Sequence, residues 1–178
     1  MVSTKSSTET PWLNRDSLLL CFSAFFADLG WQSVSALFPL LLVIEMHEPI
    51  YIYGVILAVG YGGGSLLSVL GGKLGDRFSK KNVSIIGNLM IALMSLTALT
   101  RSPLLMALLF IVGLGARYFR TAPRQAWLVN LSSPEHRSKI FGFLQALDVG
   151  GGMLATVYIV VLIVLGFMLR QIIIVNHI

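Results

Sequence analysis

Three ionisable residues stand deep inside long apolar stretches of the sequence. Asp28 lies in the first stretch, Arg117 in the fourth and Asp148 in the fifth. An ionisable side chain at the centre of a membrane span costs about 2.5–3.5 kcal/mol on insertion scales, so it tends to face a cavity or a partner. We expect Arg117 to pair with Asp148 or Asp28, leaving one acid available for a proton or a cationic substrate. Gln32, one helical turn after Asp28, joins this candidate substrate or proton pathway.

Each acid also has an ordinary structural explanation. Asp28 could be hydrogen-bonded to a neighbour on its own helix, such as Gln32, because residues four apart meet on one helix face. Asp148 could serve as the structural partner of an arginine. The sequence leaves these alternatives open.

The composition identifies the elements that must hold these residues. Hydrophobic residues make up 56% of the 178 residues, charged residues only 12%, and the mean hydropathy is +0.82. A soluble domain carries about 25% charged residues, and a helix that crosses a bilayer needs about 20 mostly apolar residues. The sequence therefore predicts an all-α, polytopic membrane bundle. Its predicted parts are a polar tail at residues 1–16 and spans at 17–46, 50–72, 82–100, 103–131 and 134–165.

The remaining segment, residues 171–178, reads as the start of a sixth helix that is too short to span a bilayer. We expect the chain to be truncated within this helix. In the five complete spans, Asp28 falls about 16 Å along the first helix and Asp148 about 21 Å along the fifth.

The lysines and arginines predict the orientation. One side of the alternating topology carries eleven of them: Lys5, Arg15, Lys73, Arg77, Lys80, Lys81, Arg117, Arg120, Arg124, Arg137 and Lys139. The other side carries only Arg101 and Arg170. Because basic residues are retained in the cytoplasm, we expect a plasma-membrane protein with a cytoplasmic N-terminus.

Several function classes find no support in the sequence. The net charge of +5 sits between apolar runs rather than on a basic, aromatic surface, so we expect no nucleic-acid partner. The glycines of residues 60–64 and 150–152 lack the preceding strand and following Lys-Ser/Thr of a phosphate loop. The single Cys21 and the scattered His47, His136 and His177 predict no metal site. No catalytic constellation is present, so we expect no cofactor and no enzyme.

The most charged stretch, GGKLGDRFSKK at residues 71–81, carries a family resemblance. Its pattern G-x-L-x-D-R-x-x-K-K resembles the signature between the second and third helices of the major facilitator superfamily. Ser79 stands where the family pattern has glycine. Further similar stretches occur in the same order: Asp28-Leu29-Gly30, Phe38-Pro39-Leu40, residues 113–117, Arg120-x-x-Pro123-Arg124-x-Ala126, and Phe141-Gly142-Phe143 with Asp148.

The resemblance implies a secondary transporter of a small solute, coupled to protons or ions, with helices packed around one cavity. It also implies a conformational latch at the cytoplasmic end, formed by Gly72, Leu74, Asp76, Arg77, Lys80 and Lys81. In the family, the acid of this motif pairs with nearby bases and faces a helix N-terminus in the other half of the protein. Gly71, Gly72 and Gly75 would let two helices approach closely. The alternative for Asp76 is a solvated carboxylate among basic neighbours.

The expected partners are the lipid bilayer, a small-molecule substrate that the sequence does not identify, and a C-terminal half or another membrane chain. Family members are built of two six-helix halves, and this chain supplies five helices and a stub. Three roles remain open: a truncated transporter, a half-transporter that needs a second chain, and a non-transporting scaffold or regulator.

Overall fold

Five long helices form the framework of the part of the chain that the structure describes. A computed structural model describes residues 14–166 and 171–172, and within these ranges there is no β-strand. The helices are α1 (Arg15–Leu40), α2 (Ile50–Arg77), α3 (Lys80–Ala92), α4 (Pro103–Leu131) and α5 (Arg137–Val164). With the short helical turns that adjoin them, all five are long and apolar enough to cross a membrane. This confirms the predicted fold class.

Two predicted segments fall mainly outside the described residues. The polar tail is described only from Asn14 onward, and the sixth-helix segment only at Gln171 and Ile172. Ile172 is fully buried in the main apolar cluster.

The first helix begins with a side-chain cap and ends in a widened turn. Asn14 accepts a 2.7 Å hydrogen bond from the Ser17 amide and donates one of 3.1 Å to the carbonyl of Leu131 at the end of α4. At the other end, a π-helical turn spans Leu41–Glu45, just after Pro39. His47 then adopts a left-handed conformation with φ of 57°, which ends the segment.

The charged stretch after the second span is mostly helical rather than a loop. The sequence predicts an end at residue 72, whereas α2 continues to Arg77 and α3 begins at Lys80. The intervening residues include lysine, leucine and arginine, which are good helix formers, so the helix can extend beyond the apolar region. Ser79 has an extended backbone with φ of −161°, so the glycine of the family pattern is not needed there.

Two other helix ends tighten into 3₁₀ turns. After α3, Leu93–Ala98 is a 3₁₀ helix, in which the hydroxyls of Ser95 and Thr97 donate to carbonyls three residues earlier. Before α5, Pro134–His136 forms a 3₁₀ turn. The Ser133 hydroxyl lies 2.9 Å from His136 Nδ1 and makes no cap to the helix backbone.

The most extensive helix packing joins α2 and α3 to α4, and α1 to α5. One apolar cluster includes Leu37, Phe38 and Phe110, and a second surrounds Cys21 and Leu128. Many large apolar side chains remain exposed on the outer helix faces. In a polytopic membrane protein these faces contact the lipid bilayer.

Candidate functional site

Three arginines share one face of α4. Arg117, Arg120 and Arg124 are spaced by three and four residues, which places them above one another on a helix. All three make ion pairs within 4 Å with an aspartate on α1 or α5. The face therefore joins α1, α4 and α5 by charge inside a membrane bundle.

The tightest contact joins Arg120 and Asp28. The Arg120 side chain is only 1% exposed, and its Nη2 donates to Asp28 Oδ1 over 2.7 Å. Its Nη1 donates to Asn88 Oδ1 on α3 over 2.6 Å, and the Asn88 amide donates to the Ser23 hydroxyl over 3.0 Å. Buried charges are tolerated when they are paired and hydrogen-bonded, so this chain of contacts stabilises Arg120 in the interior.

A glycine on α3 makes room for the buried arginine. A Cβ added at Gly87 would stand 2.5 Å from Arg120 Cβ, closer than real side chains approach. Gly87 therefore lets α3 approach α4 at the level of the Arg120–Asp28 pair.

Arg124 and Asp148 form the second pair, which links α4 to α5. Two hydrogen bonds connect them: Arg124 Nη2 to Asp148 Oδ2 at 2.9 Å and Nη1 to Oδ1 at 3.4 Å. Arg124 Nη1 also lies 3.7 Å from Asp28 Oδ2. The Asp148 side chain is 16% exposed, against 2% for Asp28. Asp148 is thus the more accessible acid of the network.

Arg117 lacks the short ion pair that Arg120 and Arg124 each make, and it has the most exposed side chain of the three arginines. Its Nε lies 3.6 Å from Asp28 Oδ1, and 31% of the side chain is exposed. The guanidinium carbon lies 4.7 Å from the centre of the Trp31 ring, in cation–π geometry. Trp31 therefore supports the guanidinium from one side while part of it stays open.

A polar cavity of about 290 Å³ adjoins this network. Its lining comes from α1, α4 and α5: Gln32, Arg117, Tyr118, Thr121, Arg124, Gln125, Gln145, Asp148 and Val149. Small-solute sites in membrane bundles are cavities of this kind, with a few convergent polar groups.

The structure brings the four predicted pathway residues to this one region. Gln32, Arg117 and Asp148 line the cavity, and Asp28 is buried behind it against the arginines. Arg117 does approach Asp28, but Arg120 is the closer partner of Asp28, and Arg124 is the partner of Asp148. No hydrogen bond joins Asp28 to Gln32 among the described residues.

Arg120, Arg124 and Asn88 were missed as site residues by sequence reasoning. The two arginines were counted only as cytoplasmic charges and as part of a motif. Their spacing from Arg117 was the available signal, since it places all three on one helix face. Asn88 offered no comparable signal, because its role depends on how α3 packs against α4.

The predicted latch residues lie elsewhere, at the junction of α2 and α3, and none of them lines the cavity. Asp76 is exposed and makes no ion pair with any described base. Arg77 lies over the Phe78 ring, and Lys81 lies 6.0 Å from the centre of the Trp127 ring.

Near this junction α2 packs closely against α4, and this close approach depends on Gly71 and Gly75. A Cβ at Gly71 would collide with the carbonyl oxygen of Phe119, and one at Gly75 would stand 2.8 Å from Pro123 Cβ. The expectation for Gly72 was wrong in this respect, because a Cβ there would make only an ordinary 3.5 Å contact with Ala122.

Five apolar helices in the described part of the chain, three of which line a charged and partly open cavity, define a polytopic membrane protein with a polar internal site. The family model of the Major Facilitator Superfamily matches residues 20–176, and the chain belongs to that family. The family consists of transporters rather than enzymes. Comparison with curated proteins and with solved structures gives no match.

Proposed function

We propose that the chain forms the N-terminal bundle of a secondary transporter and that the cavity between α1, α4 and α5 receives the transported solute. The observation that carries this proposal is the cavity itself, which places arginines, an acid and glutamines together within membrane-spanning helices. Ionisable groups in such positions mark substrate and ion pathways. A second bundle, from a C-terminal half or another chain, would complete the pathway, because alternating access needs two units that rock around one site.

A cysteine-labelling experiment tests whether the cavity is an aqueous pathway. Cys21 is the only cysteine in the chain and is buried, so Cys21→Ser provides a background without thiols. Gln145→Cys then places a thiol in the cavity wall, and Val157→Cys places a control on the exposed apolar face of α5. We expect a membrane-impermeant maleimide to modify the first variant and to leave the second unmodified in the bilayer. Equal protection of both would refute the proposal and favour a non-transporting scaffold.

We assign proton coupling to Asp148 rather than to Asp28. Asp28 is buried and in contact with all three arginines, whereas Asp148 is 16% exposed, opens on the cavity and pairs with Arg124 alone. The other titratable groups that face Asp148 are Asp28 and Cys21 on α1.

Infrared difference spectroscopy on the reconstituted chain distinguishes the two acids. We expect a protonated-carboxyl band that appears on acidification and is absent in Asp148→Asn but present in Asp28→Asn. Loss of the band in Asp28→Asn alone would assign the proton to Asp28, as the sequence allowed, and would refute the assignment to Asp148.

The proposed orientation keeps the N-terminus in the cytoplasm of a plasma-membrane protein. The three arginines of α4 face the internal site and do not count as loop charges, yet eight basic residues still lie on the N-terminal side against two on the other. An epitope tag at the N-terminus should bind antibody only after the membrane is permeabilised. Antibody binding to intact cells would place the N-terminus outside the cell and contradict the proposed orientation.

The junction of α2 and α3 supports the latch proposal by its geometry. Asp76 is exposed at the end of α2, where its carboxylate is available to a helix N-terminus on a second bundle. Gly71 and Gly75 hold α2 against α4, so the position of Asp76 is coupled to the helix that carries the arginines.

A further inference from the structure

The charged network next to the cavity contains more cation than anion. Arg117, Arg120 and Arg124 carry three positive charges, and Asp28 and Asp148 carry two negative charges. The remaining cavity lining is neutral. With both acids ionised, the described part of the site therefore has a formal charge of +1.

Hydrogen-bond donors exceed acceptors in the same way. Each guanidinium offers five N–H donors and no acceptor. The Nε atoms of all three arginines are buried without a hydrogen-bond acceptor in the described chain. The one unpaired acceptor of the network is Asp28 Oδ2, and it already lies 3.7 Å from Arg124 Nη1. The buried Nε atoms are closed to a ligand in the cavity, but a negatively charged ligand with oxygen acceptors would offset the excess positive charge and pair with the exposed part of Arg117.

Arg117 is the cation best placed to meet such a ligand. Both Nη atoms of Arg120 donate to Asp28 and Asn88, and Arg124 is held by Asp148. Arg117 makes no hydrogen bond through its guanidinium within the described residues, lines the cavity and is 31% exposed. Stacking on Trp31 holds the planar group in place, and a preorganised guanidinium loses little entropy when it binds a carboxylate or phosphate.

A cationic ligand fits the same cavity poorly. Both acids are already paired with arginines, so a cation would have to displace an arginine and leave that guanidinium buried without its partner. Breaking such a pair is strongly unfavourable. A cation would also be repelled by the positive charge of Arg117, which lines the cavity.

We propose that the cavity binds a small oxyanion, a carboxylate or a phosphate, and that Arg117 is its direct ligand. This inference rests on the proposed function and specifies its substrate class. The neutral side chains of Gln32, Gln125, Gln145 and Thr121 supply further polar contacts around the anion. The volume of about 290 Å³ limits the solute to a small one.

Calorimetric titration of the full chain in nanodiscs of neutral lipid tests this proposal with probes of matched shape. Benzoate and inorganic phosphate are the anionic probes, and benzylamine is the cation matched to benzoate. We expect at least one anion to bind and benzylamine not to bind. This comparison needs no variant, so it does not depend on how a substitution affects folding. Binding of benzylamine alone, or of none of the three, would overturn the proposal.

Variants then test the role of Arg117. Arg117→Gln should weaken anion binding about tenfold or more, because it removes a charge-assisted contact. Arg117→Lys should restore part of the loss, and Arg101→Gln, an exposed arginine outside the helices, should leave the affinity unchanged. Equal anion affinity in Arg117→Gln and wild type would refute the assignment.

The outcome is separable from that of the proposed function. If Gln145→Cys is modified by maleimide but no anion binds, the aqueous pathway stands and the substrate class is wrong. If Gln145→Cys is unreactive, the pathway itself fails.

Discussion

Charged residues lie in two regions of this protein, the cavity and the junction of α2 and α3. Arginines and aspartates occur in both, but their surroundings differ. At the cavity, arginines of α4 and aspartates of α1 and α5 are mostly buried and joined by contacts of 2.7–3.7 Å. At the junction of α2 and α3, Asp76 and Arg77 are exposed and make no ion pair with each other. Water can solvate the second region, so its charges need no fixed partners. The first region must satisfy its charges internally, and this makes its geometry specific.

We therefore expect the free energy of unfolding to depend on the ion pairs at the cavity and hardly at all on the charged residues at the junction of α2 and α3. The largest expected effect comes from Arg120→Gln, which leaves Asp28 buried without its closest partner. Loss of one member of a buried pair costs about 3–5 kcal/mol. Unfolding of the purified chain in mixed detergent, followed by tryptophan fluorescence, measures the change in free energy.

The double variant Asp28→Asn/Arg120→Gln controls for this effect. It should be less destabilised than the sum of the two single variants, because neither charge is left alone. The prediction fails if Arg120→Gln is no more harmful than Arg101→Gln.

A smaller loss of stability is expected at Gly71. Gly71→Ala places a methyl group against the backbone of Phe119, where no flexible side chain can move aside. Overpacking of this kind typically costs about 1–3 kcal/mol. Gly72→Ala is the matched control, since its Cβ would have space. Equal stability of the two variants in the same unfolding assay would contradict the packing of α2 on α4.

Proton binding at Asp148 should change the affinity for an anion. Protonation removes the negative charge that faces Arg124, so acidification should raise the affinity for benzoate, by a factor on the order of ten. Asp148→Asn should bind benzoate with little pH dependence. Asp28→Asn and Cys21→Ser control for the other titratable groups that face Asp148. Unchanged pH dependence in Asp148→Asn would refute the coupling.

The smallest effect on stability is expected for Asp76→Asn. The side chain is exposed and unpaired among the described residues, so its loss should change the free energy of unfolding by less than about 0.5 kcal/mol. If Asp76 acts as a latch, the same variant should still alter the rate at which maleimide reaches Gln145→Cys from the cytoplasmic side when a second bundle is co-expressed. An unchanged labelling rate would leave Asp76 as an ordinary solvated carboxylate.

The membrane-spanning helices and the two aspartates, Asp28 and Asp148, could be predicted from the sequence because both depend on local signals. Apolar length fixes which segments can span a membrane, and an aspartate within such a segment stands out. The partners of those acids depend on how α1, α4 and α5 pack, which no local pattern reports. Arg117 was singled out for its depth, whereas Arg120 and Arg124, which also fall within the predicted span at 103–131, were counted only as cytoplasmic charges and as part of a motif.

In the charged stretch at residues 71–81, the sequence placed the end of the helix too early. The sequence predicted that the second span ends at residue 72, whereas α2 continues to Arg77 and includes most of the charged stretch. Lysine and arginine are good helix formers, so charge marks the edge of the membrane without marking the end of the helix. Ser79 stands where the family pattern has glycine, and its extended backbone is one that any residue can adopt.

Protection of a cavity thiol from maleimide by a bound anion tests most directly whether the cavity is an anion site. In the Cys21→Ser background, the rate of maleimide labelling at Gln145→Cys is measured with benzoate, with benzylamine and without either. We expect benzoate to slow labelling, benzylamine to leave it unchanged, and Arg117→Gln to remove the protection. Labelling that benzylamine slows and benzoate leaves unchanged would contradict an anion site at Arg117.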